Sequence, residues 1–430
     1  MTIGLHDIYL LSPVISMASL AVLVIVLDLI NRGKLIVSLI GLVGLIIPLS
    51  FSISIWIDSN GANAQTFSSL SSTYVVDKFS LYFTFLIIIS TFLVLLSSTN
   101  YIDNMPKIRG EYNALVLFSA TGMILLSSTV DLITIYVSLE LTALPIAALA
   151  AFHRNKQSTE AGIKFLILSA ISSAILLYGM VIIYGLTGTT SLVEIASQIS
   201  NLVLDPGITL GNHALLLGVV LLIAGFGFKI AVVPFQMWAP DVYEGSPTPI
   251  TAFLSVASKA AGFAVILRIF YVSLGSESLS ADWAQIFAIL SILSMTVGNL
   301  VAIRQDNIKR MLAYSTVAHA GYLLVGLAVV STSTTEPTNN AGPAGLLVYL
   351  FGYVFTNLLV FSTIIAISTD TKSYAIEKYS GVVRRSPVLA AMLFFGMISL
   401  IGIPPAVGFI TKLYLFGAAV EAGLTWLAVA

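Results

Sequence analysis

No cysteine occurs among the 430 residues. That excludes disulfides, thiolate metal sites and cysteine-held iron–sulfur clusters. Histidine is scarce too, and four scattered residues offer no ligand cluster for a metal or haem. Charge is thin: Asp, Glu, Lys and Arg make up 9% of the chain, against roughly 25% in a soluble domain. A net charge of −1 leaves no basic footprint for nucleic acid. The N-terminal MTIGLHDIYLLS lacks the basic segment that opens a signal peptide, so the first apolar run is expected to be retained.

What fills the chain is hydrocarbon. Hydrophobic residues make up 58% and the mean hydropathy is +1.01. Charge-free runs of about 20 residues predict membrane-spanning helices. The fold class is therefore an all-α polytopic membrane protein. Spans are expected near 10–30, 35–57, 79–98, 113–130, 131–152, 159–185, 213–238, 246–270, 283–303, 307–330, 343–368, 386–416 and 418–430. The last run, GAAVEAGLTWLAVA, is too short to cross and reads as a span cut short.

Lysine and arginine set the expected orientation. Arg32, Lys34, Lys107, Arg109, Arg154, Lys156, Arg304, Lys309, Arg310, Lys372, Lys378, Arg384 and Arg385 fall in loops of one side if the spans alternate. The opposite loops hold only Lys78 and Arg268, at span edges. The basic side is expected to be cytoplasmic, with the N-terminus outside. The acidic DVYEG run (241–245) breaks this pattern, and subunit contact is the only account the sequence offers.

Lys164, Lys229, Lys259 and Lys412 remain inside spans, and Glu140 is the carboxylate deep in one. A charge at mid-bilayer costs at least ~2.5–3.5 kcal/mol on insertion scales, so such groups must face protein or water. Each alone could be a structural ion pair or a snorkelling side chain, Lys164 most readily. Together they read as a proton relay. A carrier must exist both charged and neutral, which burial makes possible for lysine and glutamate but not for arginine.

Two spans carry helix breakers beside a lysine. One reads FGFKIAVVPF, with Pro234 after Lys229; the other reads GIPPAVGFITKLYLF, with Pro404 and Pro405 before Lys412. Broken backbone at membrane depth is tolerated where it is packed or lines a wet cavity. Breaks in corresponding places point to inverted repeats. The expected organisation is residues 1–112 as three leading helices, 113–270 as one five-helix repeat and 283–430 as its inverted copy. In YSTVAHAGYLL, His319 and Tyr314 are weaker relay candidates. Gln236 cannot carry a proton as an imidazole can and at best orders water.

The run FKIAVVPFQMWAPDVYEGSPTPITAFLSVASKAAGFAVILR (228–268), with SLELTALPIAALAAF, NIKRMLAYSTVAHAGYLLVG and GIPPAVGFITKLYLF, strongly resembles the antiporter-like membrane subunits of respiratory complex I. It is most similar to the N-type subunits of bacterial NADH:quinone oxidoreductase and their chloroplast and cyanobacterial counterparts. The resemblance implies fourteen helices, two inverted five-helix repeats and proton translocation within a membrane arm.

By motif, the resemblance makes Glu140 the partner of the central Lys229. It makes Lys259 the connecting lysine, Lys412 the terminal one, Lys164 a further one, and puts His319 on the hydrophilic axis. It implies no cofactor in this chain, with NADH, FMN, iron–sulfur clusters and quinone in partner subunits, and sibling antiporter-like subunits as neighbours. Many relatives have histidine where Gln236 stands. Rival readings are an Mrp-type cation/proton antiporter subunit and a non-conducting assembly subunit. The expected membrane is the bacterial plasma membrane, with thylakoid or mitochondrial inner membrane as alternatives.

Overall fold

The computed structural model describes residues 4–30, 35–59, 67–69, 73–102, 109–203, 209–329 and 341–430. Arg32, Lys34 and Lys107, which carry part of the orientation argument, lie outside them. Nearly everything described is α-helix. A hairpin of Phe67–Ser69 against Tyr74–Val76 is a small exception.

Among the described residues, ten helices are long and apolar enough to cross a membrane: Ser12–Ile30, Ile36–Ser59, Lys78–Thr99, Leu132–Ala150, Lys156–Thr187, His213–Gly245, Thr248–Ser273, Leu279–Ala302, Ile308–Ala328 and Ala341–Thr371. They match the predicted spans within a few residues, except that His213–Gly245 runs on through the Pro234 break to Gly245. The span predicted over 113–130 is a helix, Arg109–Ser128, more polar than the others. The span predicted over 386–416 is two shorter helices, Pro387–Ile401 and Val407–Glu421. Of the run 418–430, only Thr425–Val429 forms a further helix, because Gly423 takes a left-handed φ of 79° that ends the preceding helix.

By internal contacts the chain forms two compact units. One comprises Met1–Ile167, Thr189–Glu194 and Gly245–Ile269; the other comprises Leu168–Gly188, Ile195–Glu244 and Phe270–Ala430. At the heart of the first unit stands Arg109–Ser128, packed against Ser12–Ile30, Lys78–Tyr101, Leu132–Ala150 and Lys259–Arg268. Protein surrounds it, so it carries buried Asn113, Ser119 and Thr121 that would be costly against lipid. Ser119 donates to the Thr142 carbonyl and Thr121 to that of Leu117. Gly122 has its place for a simple reason: a Cβ there would sit 2.7 Å from the Thr142 backbone nitrogen.

The span Thr248–Ser273, whose residues up to Ile269 belong to the same unit, is buried along its apolar length, as a helix apolar on all faces must be. It contains two π-helical stretches, Leu254–Ser258 and Ile269–Ser273. Such widened turns gather at functional sites. Near its far end the Arg268 guanidinium grips Asp77 through two 2.7 Å hydrogen bonds. It also donates to the Ser127 carbonyl and lies over the Phe79 ring.

In the second unit Ile308–Ala328 packs against Glu277–Ala302, Ala341–Thr371 and Val407–Glu421, and Ala341–Thr371 also carries Pro387–Ile401. This unit holds both helix breaks.

Candidate functional site

At the first break, the half-helix Thr209–Ile230 ends where Ala231 adopts a φ of 58°. Non-helical backbone follows, including the cis Val233–Pro234 bond, and then a 3₁₀ turn over Phe235–Met237. A second half-helix, Trp238–Gly245, resumes. Pro234 supplies no donor. The gap is closed by other groups: Val233 N–H donates to Ser294 Oγ at 3.0 Å and Trp238 Nε1 to the Phe228 carbonyl at 2.9 Å.

Lys229 lies in the last turn of the upstream half-helix. A helix C-terminus presents unsatisfied carbonyls and the negative end of the macrodipole, which favour a cation. Gln236, just past the break, has a buried Oε1 with no hydrogen-bond partner among the described residues, so this position can receive a donor such as water.

The second break also carries a lysine, on its downstream side. Pro387–Ile401 ends at Gly402, whose φ of 88° only glycine takes readily. The cis Pro404–Pro405 bond follows, and the downstream half-helix starts at Val407. From that half-helix Lys412 reaches back. Its Nζ donates to the Ile401 carbonyl at 2.9 Å and the Leu400 carbonyl at 3.3 Å. The lysine thus caps the negative end of the upstream half-helix. Its ammonium also lies 4.5 Å from the centre of the Tyr322 ring, where the ring quadrupole adds attraction.

Tyr322 leads on to His319, which meets it edge-on at 5.4 Å. His319 Nδ1 is hydrogen-bonded to the Tyr349 hydroxyl, and the Tyr353 ring lies 5.0 Å away. A cavity of about 10 Å³ touches His319, Tyr349, Thr356, Ser399 and Thr411, room for about one water. Its wall includes the Thr356–Ser399 hydroxyl pair, 3.0 Å apart. The structure therefore brings His319 and Lys412 together through Tyr322. Tyr349 is a hydroxyl partner of His319, and Tyr314 is half-buried on His319's own helix.

The first unit holds the remaining candidates. Lys259 is 2% exposed and opens the helix that follows the first π-helical stretch. Glu140 is half-buried on Leu132–Ala150, between Tyr136 and the in-helix Pro145. It makes no ion pair or hydrogen bond among the described residues. Lys164 pairs with Glu160 one turn back at 2.8 Å, with 41% of its side chain exposed. The pairing gives it the snorkelling geometry that its place near a helix start allows.

A cluster absent from the sequence reading lies in the second unit. Asp241 and Glu244, the acids of the DVYEG run, both accept from Arg310 Nη1 at 2.9 and 2.8 Å. Asn307 donates to Glu244 Oε1, and the buried Lys309 donates to the Glu244 carbonyl at 2.8 Å beside the Tyr374 ring. The acids on the expected basic side are thus neutralised within the chain. Pairing across about 65 residues has no local signal, although an acidic pair facing a Lys–Arg doublet of equal charge was visible. Among the described residues no group of three or more His, Asp or Glu is arranged to hold a metal ion.

Bundled apolar helices with two broken spans, each carrying a lysine at a half-helix carbonyl end, define the class: a polytopic helical membrane protein with charge-handling interrupted helices. Residues 129–430 match the family model described as NADH:quinone oxidoreductase/Mrp antiporter, TM, and the chain belongs to this family. It is 43% identical over 420 residues to NADH-quinone oxidoreductase subunit N of Dehalococcoides mccartyi, covering 97% of this chain and 84% of that one. A chain of respiratory complex I from Thermus thermophilus with bound aureothin superposes with a TM-score of 0.77 at 32% identity, covering 97% and 85%. A chain of the Mrp complex from Dietzia sp. shares the fold, with a TM-score of 0.83 at 23% identity, covering 99% and 76%.

Proposed function

We propose that this chain is a proton-translocating membrane-arm subunit of a complex I-like NADH:quinone oxidoreductase. Its working groups are Glu140, Lys229, Lys259 and Lys412, with His319 beside Lys412. The observation that carries the reading is the seat of Lys412 on the open carbonyl end of a broken membrane helix, within reach of His319 through Tyr322. An ammonium there is held by dipoles rather than by a fixed carboxylate, so it can give up its proton without stranding an opposite charge.

In this reading, quinone reduction in partner subunits changes charge or hydration near Glu140. Lys229 answers by releasing or taking a proton, and the proton travels by way of water to Lys259 and Lys412. This chain's part is confined to holding and moving protons. Redox chemistry, with NADH, FMN, iron–sulfur clusters and quinone, belongs to the partners. Residues 113–270 and 283–430 form the two inverted repeats, which is supported by a lysine-bearing break in each. The N-terminus faces outside a bacterial plasma membrane, on the strength of the lysine and arginine asymmetry.

The alternative is an Mrp-type cation/proton antiporter subunit, which the likeness to the Mrp chain favours. A sodium path calls for hard oxygen ligands. The spans offer lysines and Glu140 instead.

Affinity purification of the tagged full-length protein from its own membrane separates the two. Recovery with NADH-oxidising, quinone-reducing subunits that acidify one side of sealed vesicles supports the proposal. Recovery in an assembly that exchanges sodium for protons without electron transfer refutes it.

A further inference from the structure

We propose that Arg310 is a positioning residue for proton transfer at Lys229. It anchors the half-helix Trp238–Gly245, and that half-helix holds the carbonyl end of Thr209–Ile230 in place. The inference rests on the proton-translocating reading above.

The contacts form one unbroken chain. Arg310 takes Asp241 and Glu244 together and is steadied by Gln305 Oε1, which accepts from its Nε. Lys309 and Asn307 bind the same Glu244 through its backbone carbonyl and its side chain. At the other end of this half-helix Trp238 donates to Phe228, the residue before Lys229, and its ring lies 5.4 Å from that of Phe228.

An eight-residue helix of about two turns has little stability of its own, so its pose is set by what grips it. The carboxylates stand three residues apart, on one face, and a single guanidinium satisfies both. Between the two half-helices the backbone is irregular and leans on Ser294 and Trp238. A shift of the downstream piece therefore reaches the Phe228 carbonyl through Trp238, and with it the turn that carries Lys229.

The pairs are partly exposed, with 31% of Arg310, 36% of Asp241 and 26% of Glu244 accessible. Such pairs add little to stability. A double-ended clamp on a two-turn helix is better suited to fixing geometry.

The test uses the whole complex in sealed vesicles, reading NADH-driven quinone reduction and proton uptake per assembled complex. The variants are Arg310→Ala, Arg310→Lys, the double variant Asp241→Asn/Glu244→Gln, and Trp238→Phe, with Lys229→Ala as reference. Arg310→Ala, the double variant and Trp238→Phe should each lower proton-coupled turnover by about tenfold or more, as small misplacements do, with KM for quinone unchanged. Arg310→Lys should recover part of the loss, and combining Arg310→Ala with the double variant should add nothing further.

Should Arg310→Ala fail to assemble, the near-isosteric double variant and Trp238→Phe carry the test. Parental turnover and proton yield in the double variant overturn the inference, as does a loss in Arg310→Ala that Trp238→Phe does not share. A fully active Lys229→Ala removes the relay itself and this inference with it. An inactive Lys229→Ala beside a fully active Arg310→Ala removes the anchor alone.

Discussion

The Lys412 ammonium lies 2.9 Å from the carbonyl oxygen of Ile401, the last residue of the half-helix it caps from across the Pro404–Pro405 break. The side chain thus supplies the donor that the next helical turn would have supplied. Replacing it with methionine should keep the shape and remove both donor and charge. Replacing it with arginine should keep a charge that does not leave. Both should lower proton-coupled turnover by about a hundredfold or more, the range for loss of a proton-transfer group. Vesicle acidification measured alongside quinone reduction checks this. Normal pumping with arginine at 412 would show that release of the proton there is unnecessary.

The same break predicts an intolerant glycine. A Cβ on Gly408 would fall 1.7 Å from the Ser399 carbonyl oxygen, so the backbone would have to part. Gly408→Ala should destabilise this region by about 3 kcal/mol, the upper end of overpacking costs. Thermal unfolding of the purified complex, or limited proteolysis near residue 405, reports it.

Asp77 and Arg268 give a pH prediction. Burial disfavours the Asp77 carboxylate, but the Arg268 guanidinium outweighs it and holds the carboxyl below the usual range. A carboxyl depressed on folding adds stability above its unfolded pKa. That stability starts to fade as pH falls past about 4, the ordinary Asp value, and is gone below the folded value. Asp77→Asn should flatten this acid loss and cost about 3 kcal/mol at neutral pH, because it leaves Arg268 buried beside a weaker partner. Melting curves from pH 3 to pH 7 for parent and variant test both statements.

Lys164 should matter least among the lysines. Its ammonium is already engaged by Glu160 and half in the open. Lys164→Ala should leave turnover within about twofold, the size expected for an exposed pair. A loss as deep as that of Lys412→Met would move it back into the conducting path.

The sequence made the helices legible because hydrocarbon runs of membrane length have few other meanings. Charge-free spacing located both breaks, since Pro234, Pro404 and Pro405 stand beside lone lysines. It was silent on what those lysines touch. Lys229 sits in the last turn before its break, whereas Lys412, which follows its own, reaches back to the carbonyl end of the upstream half-helix, a contact that residue order alone does not give.

Arg310 looked like a loop cation because its carboxylate partners lie about 65 residues away. Arg268 looked like an edge residue because Asp77 lies 191 residues away. The Tyr322 ring between His319 and Lys412 could not be read at all, since aromatic residues are spread through most spans. Local patterns carry element type; long-range pairing of scarce charges must be seen.

The most direct test of the account is Lys229→Ala in the full-length protein within its complete complex. Electron transfer and the proton gradient should be recorded together in tight vesicles. The expected result is an assembled complex whose turnover or pumping collapses, with an equal failure of Lys229→Arg. Normal electron transfer with a normal gradient in assembled Lys229→Ala would contradict it, and would leave Lys229 a structural cation at a helix end.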